Sequence, residues 1–267
     1  MPLSRFPLVL LFAVACAATC LGASAALAAA QEPPAQPDWT ARWARLLDRH
    51  TRSVDAKVGT RVDYRALSAE PEWPLLLAEI DAVDPRRITT RDEQLAFWVN
   101  VYNVFAIDVV LNHRPVESIK DVGSFFRPVW KRPAGRIAGR EYSLDEVEHE
   151  ILRPLGEPRI HGAIVCASVS CPDLRREPYR AETLDTQLDD NMRAWLARPE
   201  KGLALDRDRR ELTLSPIFDW FEDDFAASGG VLAVATRYAP EAERLWLEGN
   251  RQDVEIEYFD YDWRLNE

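Results

Sequence analysis

The 267-residue sequence contains no glycine-rich phosphate loop, no Walker motif, no H-E-x-x-H pair and no G-x-S-x-G elbow. No signature therefore points to P-loop phosphoryl transfer, to zincin proteolysis or to a serine hydrolase of the elbow type. Positive charge is in deficit, with 33 Lys+Arg against 44 Asp+Glu and a net charge of −11. Nucleic acid and anionic membrane surfaces, which both need a basic patch, are poor partners. Cysteine is scarce: of four, Cys16 and Cys20 fall in the first thirty residues, leaving Cys166 and Cys171 for the rest of the chain. No internal repeat is present.

The first thirty residues carry one charge, Arg5, followed by the apolar run "FPLVLLFAVACAATCLGASAALAAA". Its small-residue end offers cleavage at Ala23-Ser24-Ala25 or Ala28-Ala29-Ala30, so residues 1–30 read as a removable secretory signal and the protein as periplasmic or secreted. The residues before Cys16 and Cys20 fit a lipid-anchor site poorly. "QEPPAQP", 31–37, reads as a stiff Pro-rich linker. Residues 38–267 are expected to form a single domain with no membrane span.

"DWTARWARLLDRH" spaces Trp39, Trp43, Leu46 and Leu47 on one helical face. Thr90 and Glu93 form a capping box before "QLAFWVNVYNVFAIDVVLNH", whose wide apolar stripe makes it the central helix. Asp108 is expected at its solvated edge. Gly135 and Gly139 suggest short strands joined by a turn. Ser143 and Glu146 suggest a second capping box, on a helix ended by Pro154. Residues 160–167, short and containing isoleucine and valine, read as a buried strand. A helix follows at "ETLDTQLDDNMRAWLA", then a hairpin at "LALDRDRRELTL" and a last strand at "VEIEY". Helices and hairpins mix without regular alternation, which predicts an α+β fold: a central buried helix packed with short antiparallel strands.

Chemistry concentrates in "RIHGAIVCASVSCPDLR", residues 159–175. Pro172 favours a helical start, which would put the Cys171 thiol at an N-cap, where free N–H groups stabilise a thiolate. Arg175 and Arg176 add positive charge. Two other readings stand beside a reactive Cys171: a Cys166–Cys171 disulfide and a pair of inert buried thiols. In a strand, Cys166 and His161 face opposite ways, so Cys166 reads as structural. His161 and Cys171 would also stand far apart, about 17 Å along 161–166, unless the chain turns back sharply. All four histidines precede both cysteines, against the papain order, and ten residues cannot hold a caspase-like crossover. His149 is a second candidate base. Glu148 is half-buried by pattern and needs an arginine, Arg153 or Arg159, or other donors. Asn100 and Asn103 share a side of the central helix and either cap a loop or orient a histidine or substrate. His161-x4-Cys166-x4-Cys171 has unusual spacing for zinc, so no metal and no cofactor is expected.

"LAFWVNVYN", "YSLDEVEHEILR", "RIHGAIVCASVSCPDLR", "LSPIFDWFEDDF" and "FDYDWRLN" resemble, in this order, bacterial members of the domain-of-unknown-function 547 family. The resemblance implies an envelope or secreted protein, a cysteine-hydrolase-like core, or thiol (glutathione) binding. By motif position it draws together Asn100, Asn103, Glu148, His149, Arg153, His161, Cys166 and Cys171. It also marks a departure, Gly162, where a bulky aromatic is expected. Two working readings follow. The first is a hydrolase or acyl transferase with Cys171 as nucleophile, His161 or His149 as base and Asn100 or Asn103 as orienter. The second is a binding module for a small thiol or a peptide, with Arg175 and Arg176 meeting carboxylates and Asn103, Glu148 and Arg153 lining the cleft. A structural envelope protein with bonded cysteines is the remaining alternative.

Overall fold

The computed structural model describes residues 38–124 and 126–267; the signal and linker readings lie outside the described residues. Its elements, in chain order, begin with α1 (Trp39–His50), β1 (Thr51–Ser53), β2 (Thr60–Val62), α2 (Tyr64–Ser68), α3 (Glu72–Asp81) and α4 (Arg91–His113). The β3 (Pro133–Ile137) and β4 (Arg140–Ser143) hairpin precedes α5 (Leu184–Leu196), β5 (Leu203–Asp206) and β6 (Glu211–Leu214). Then come α6 (Ile217–Trp220), α7 (Glu222–Phe225), α8 (Val231–Tyr238), α9 (Glu241–Asn250) and β7 (Glu255–Tyr258). This is the α+β architecture that the patterning predicts.

α4 begins at the anticipated capping box: Glu93 N–H donates to Thr90 Oγ1 at 3.3 Å, and Thr90 N–H donates to Glu93 Oε2 at 3.0 Å. Such a cap contributes about 1 kcal/mol. From Leu95 to Val110 every side chain is buried. A helix apolar on all faces must be surrounded, and this one is long and apolar enough to cross a membrane by length and composition while packing inside the protein. Asp108 is no solvated edge residue. It is buried, and accepts from Trp73 Nε1 and Asn112 Nδ2, both at 2.8 Å. Burial raises the pKa of this carboxyl, and the two donors oppose that shift.

The β3–β4 hairpin turns through Ala138 and Gly139, both left-handed, as a tight antiparallel turn requires. Gly135 lies within β3, where a Cβ would stand 2.2 Å from the Phe105 ring, so its lack of a side chain lets the hairpin lie on α4. The next segment departs from the expected α-helix. Ser143 Oγ accepts from Glu146 N–H, but Glu146 turns to Arg140, so only half of the second capping box forms. Glu146–Leu152 is a π-helix, and a 3₁₀ turn over Arg153–Leu155 carries the chain through Pro154 to left-handed Gly156. The wider turn changes which side chains share a face, a local geometry often found at functional sites.

Residues 160–167 are not a strand. Pro158–Gly162 is a 3₁₀ turn opened by Pro158, with Glu157 Oε1 accepting from Arg159 N–H. The chain then runs irregularly to Ala167, left-handed at φ 61°. A strand is unnecessary because side chains pair its backbone: Asn103 takes Ala163 O and Val165 N–H, and Asn191 takes Gly162 O. Cys171 likewise caps no helix. The chain after it is held by Lys201, whose Nζ reaches Cys171 O at 2.5 Å, and by Arg198 and Lys201 on the Asp173 carboxylate.

Two hydrophobic clusters form the core, one around α4 and one around α5, α8 and the β5–β6–β7 sheet. β5–β6 is the antiparallel hairpin anticipated, and β7 adds to β6 in parallel. Tyr261, in the closing segment, packs against both clusters.

Candidate functional site

Where the clusters meet, a cavity of about 180 Å³ opens to the surface. Tyr102 of α4, Glu148 and His149 of the π-helix, and His161 and both cysteines of the 158–171 segment line it. The far wall is Ile217, Trp220 and Phe221 with Tyr261 and Trp263. Five of the residues singled out from the sequence, Glu148, His149, His161, Cys166 and Cys171, therefore share one cavity.

Cys171 is 2% exposed, and its sulfur is closely surrounded. The Cys166 N–H donates to Cys171 Sγ at 3.0 Å, and Ser168 Oγ and the Tyr261 hydroxyl each lie 3.2 Å away. Burial alone pushes this thiol up, but the hydrogen bonds from Cys166, Ser168 and Tyr261 outweigh it and bring it down to about 6. Cys166 moves the other way: its bond to Cys171, and then burial, hold its thiol well above the usual value. Both thiols are free in this structure. The stabilisation anticipated from a helix N-terminus comes instead chiefly from the Cys166 side chain and the Ser168 and Tyr261 hydroxyls.

His161 is 2% exposed and stacks on Phe221 with centroids 4.1 Å apart. Its Nε2 lies 2.7 Å from Asp224 Oδ2. Burial lowers the imidazole's proton affinity, with Asp224 opposing. Asp224 is held far below the ordinary carboxylate range by the His161 bond and by Arg153, which reaches it through Nε at 2.6 Å and Nη2 at 2.9 Å. A neutral imidazole that donates Nε2–H to a carboxylate keeps Nδ1 as its basic nitrogen. Asp224 was not among the residues anticipated. It stands 63 positions from His161 in a run of three acids, Glu222, Asp223 and Asp224, and no spacing rule selects the member that faces the ring. Tyr261 is equally remote, although both lie in blocks that carry the resemblance.

Glu148 receives a hydrogen bond from the Tyr102 hydroxyl at 3.2 Å, not from either arginine proposed for it. Burial pushes its carboxyl up to about 7, beyond what Tyr102 and Arg153 recover. Arg153 is instead taken by Asp224 and by His149 Nδ1, 2.8 Å from its Nη1. Arg159 is taken by Glu157 and Asp189. His149 stands at the mouth, between Arg153 and the Phe221 ring.

The asparagines are scaffold. Asn100 clamps Tyr179, donating to its carbonyl at 2.8 Å and accepting from its N–H at 3.0 Å, while Asn103 clips the 163–165 loop. Neither is among the residues that line the cavity. Arg175 pairs with Glu177, and Arg176 reaches Thr51 and Asp48, all on a separate surface. They are absent from the walls around Cys171 because the irregular chain after Pro172 leads away from it. At Gly162 a Cβ would stand 2.5 Å from Met192 Sδ, so the space expected for an aromatic is filled by a neighbour.

Residues 85–196 match the family model described as Protein of unknown function, DUF547. The match contains α4, the π-helix, His161 and both cysteines, whereas Asp224 and Tyr261 lie beyond it. Among curated proteins and among solved structures, none matches the chain.

Proposed function

Starting from a chain whose residues 85–196 match the DUF547 family model, we propose that it is a cysteine-dependent hydrolase or acyl transferase, acting in the periplasm or outside the cell as the composition of residues 1–30 suggests. The observation that carries this reading is the Cys171 sulfur: ionised near neutrality, on a cavity wall, in company with a His161–Asp224 pair.

The chemistry balances on the residues present. Cys171 Sγ, as thiolate, attacks the carbonyl carbon of an ester, thioester or amide, forming a C–S bond. As the bond to the leaving group breaks, Glu148, protonated to a large extent at neutral pH, supplies that group's proton. Water, or another acceptor hydroxyl or amine, then attacks the thioester and gives its proton to His161 Nδ1. The C–S bond breaks to restore the thiolate, and the proton on His161 returns to Glu148. The Tyr261 hydroxyl, 3.2 Å from the sulfur on the cavity wall, is a donor that can serve an oxyanion formed there. Asp224 holds the ring by Nε2 and favours its protonated form in the second half-reaction.

The glutathione-like alternative has less to support it, because Arg175 and Arg176 pair elsewhere and, among the described residues, no Lys or Arg lines the cavity to meet carboxylates.

Alkylation by iodoacetamide, followed at each cysteine peptide by mass spectrometry from pH 4.5 to 10, tests the reading. Cys171 is expected to react with a midpoint near 6, while Cys166 titrates far higher. Cys171→Ala should remove turnover of small esters. A Cys171 midpoint at the ordinary thiol value, about 8.5, or full turnover by Cys171→Ala, would overturn it.

A further inference from the structure

The walls leading from the sulfur to solvent have a definite chemistry. Tyr261, whose hydroxyl touches Cys171 Sγ, has its ring centroid 4.5 Å from Trp263 and 4.9 Å from Trp220, tilted 46° to each. Trp130 completes the set, 6.0 Å from Trp263 and tilted 48°. Trp220 and Trp263 themselves lie nearly parallel, 13° apart with centroids at 5.9 Å, and with Tyr261 and Trp130 tilted to them the set forms a cup. Trp220 is 48% exposed, an unusual cost for a tryptophan, and it stands where the cavity opens.

The cavity wall that holds the cup carries carboxylates, and one cation, Lys120, lies over the Trp263 ring. Asp145 and Glu148 line it, and among the described residues no lysine or arginine does. The nearest cations are already engaged: Arg153 binds Asp224 beneath Phe221, and Lys120 places its ammonium 4.6 Å over the Trp263 ring. The protein thus already seats one of its own cations on this aromatic set. Tryptophan and tyrosine faces attract cations, most strongly where solvent is excluded, and adjacent carboxylates reinforce this.

We infer that the cavity recognises an alkylammonium group, held by Trp220, Tyr261 and Trp263 with Asp145 at the rim, on an acyl compound whose carbonyl then lies at Cys171. This rests on the hydrolase or transferase reading for the reacting end, but the recognition itself does not require a reactive sulfur. A substrate bearing a carboxylate at that end is disfavoured, since it would face two acids and a thiolate, with Lys120 on the Trp263 ring as the nearby cation.

The test uses choline and its uncharged isostere 3,3-dimethylbutan-1-ol, titrated into the full protein and into Cys171→Ala, with tryptophan fluorescence and calorimetry as readouts. Measurement at about 0.5 M salt screens the protein's overall negative charge and leaves short-range ring contacts largely intact. Choline is expected to bind at least tenfold more tightly than the alcohol in both proteins, with Trp220→Leu reducing its affinity fivefold or more. Equal affinities, no choline binding, or an unchanged affinity in Trp220→Leu would overturn the inference. Because Cys171→Ala still carries the cup, loss of sulfur reactivity and loss of cation recognition are separate results.

Discussion

Glu148 and Cys171 exchange the roles their side chains have in water: burial pushes the carboxyl up to about 7, while hydrogen bonds from Cys166, Ser168 and Tyr261 bring the buried thiol down to about 6. An acid that still holds a proton and a sulfur that has lost one are what a two-step acyl transfer needs on either side of a carbonyl. Their titrations bound the reaction from opposite directions. Activity should rise with pH as Cys171 ionises through about 6 and fall as Glu148 deprotonates through about 7, giving a narrow bell. The leaving group makes the Glu148 arm separable. An alkyl ester must be protonated as it departs, whereas p-nitrophenolate leaves without a proton. Glu148→Gln should therefore lower kcat/KM about 100-fold for an ethyl ester and abolish the descending limb, with little loss on the p-nitrophenyl ester. An equal loss on both esters, or a descending limb that survives the substitution, would show that Glu148 only holds structure.

α4 acts as a rail on which the reactive segment is hung, through polar side chains that nothing in its apolar neighbours would demand. Asn103 supplies one donor and one acceptor to Ala163 O and Val165 N–H, the residues just before Cys166. Cys166 N–H in turn reaches the reactive sulfur. Asn103→Ala leaves a carbonyl and an N–H buried without partners, at roughly 1–3 kcal/mol each. Urea unfolding should show about 2–5 kcal/mol lost, and the Cys171 alkylation midpoint should move back towards the ordinary thiol value. A destabilised variant whose midpoint stays near 6 would mean that the loop does not depend on this clip. The same contacts explain what could be read from the sequence. α1, α4 and the two hairpins were legible because apolar period, caps and turn residues are local. The 160–167 segment was not, since its backbone is satisfied by Asn103 and Asn191 from distant helices, and an apolar run without that knowledge reads as a strand. Glu146 pairs with Arg140 instead of closing its capping box, and the helix widens to a π form that no 3.6-residue period encodes. At the site, Cys171, His161 and Glu148 stood out by type and context. Asp224 and Tyr261 did not, because only the docking of α7 and the closing segment against α4's cluster brings them within reach.

Across the whole molecule the net charge of −11 makes added negative charge unwelcome, and the site adds it at neutral pH. Glu148 is the clearest contributor. Its carboxyl is raised from 4.5 in an unfolded chain to about 7 in the fold, so folding favours its protonated form. That contribution is complete below about pH 4.5 and is lost as pH rises through about 7, by at most roughly 3 kcal/mol at 1.36 kcal/mol per pH unit. Cys171 has the opposite sign. Its folded value near 6 lies below the unfolded value of 9, so its contribution is present above about pH 9 and disappears as pH falls through 6. Between pH 4.5 and 6 Glu148 lowers stability while His161, whose proton affinity burial lowers, works in the opposite direction, so the Glu148 contribution is read from a variant that lacks it. Glu148→Gln removes the titration while keeping the volume and the Tyr102 contact, so the stability of the variant relative to the parent should increase steadily from pH 4.5 to 7 and then level off. Urea midpoints of the two proteins at half-unit intervals measure this difference directly. Parallel curves across that range would mean that the carboxyl is hydrated in the folded protein, and the proton assigned to the leaving group would have no source at Glu148.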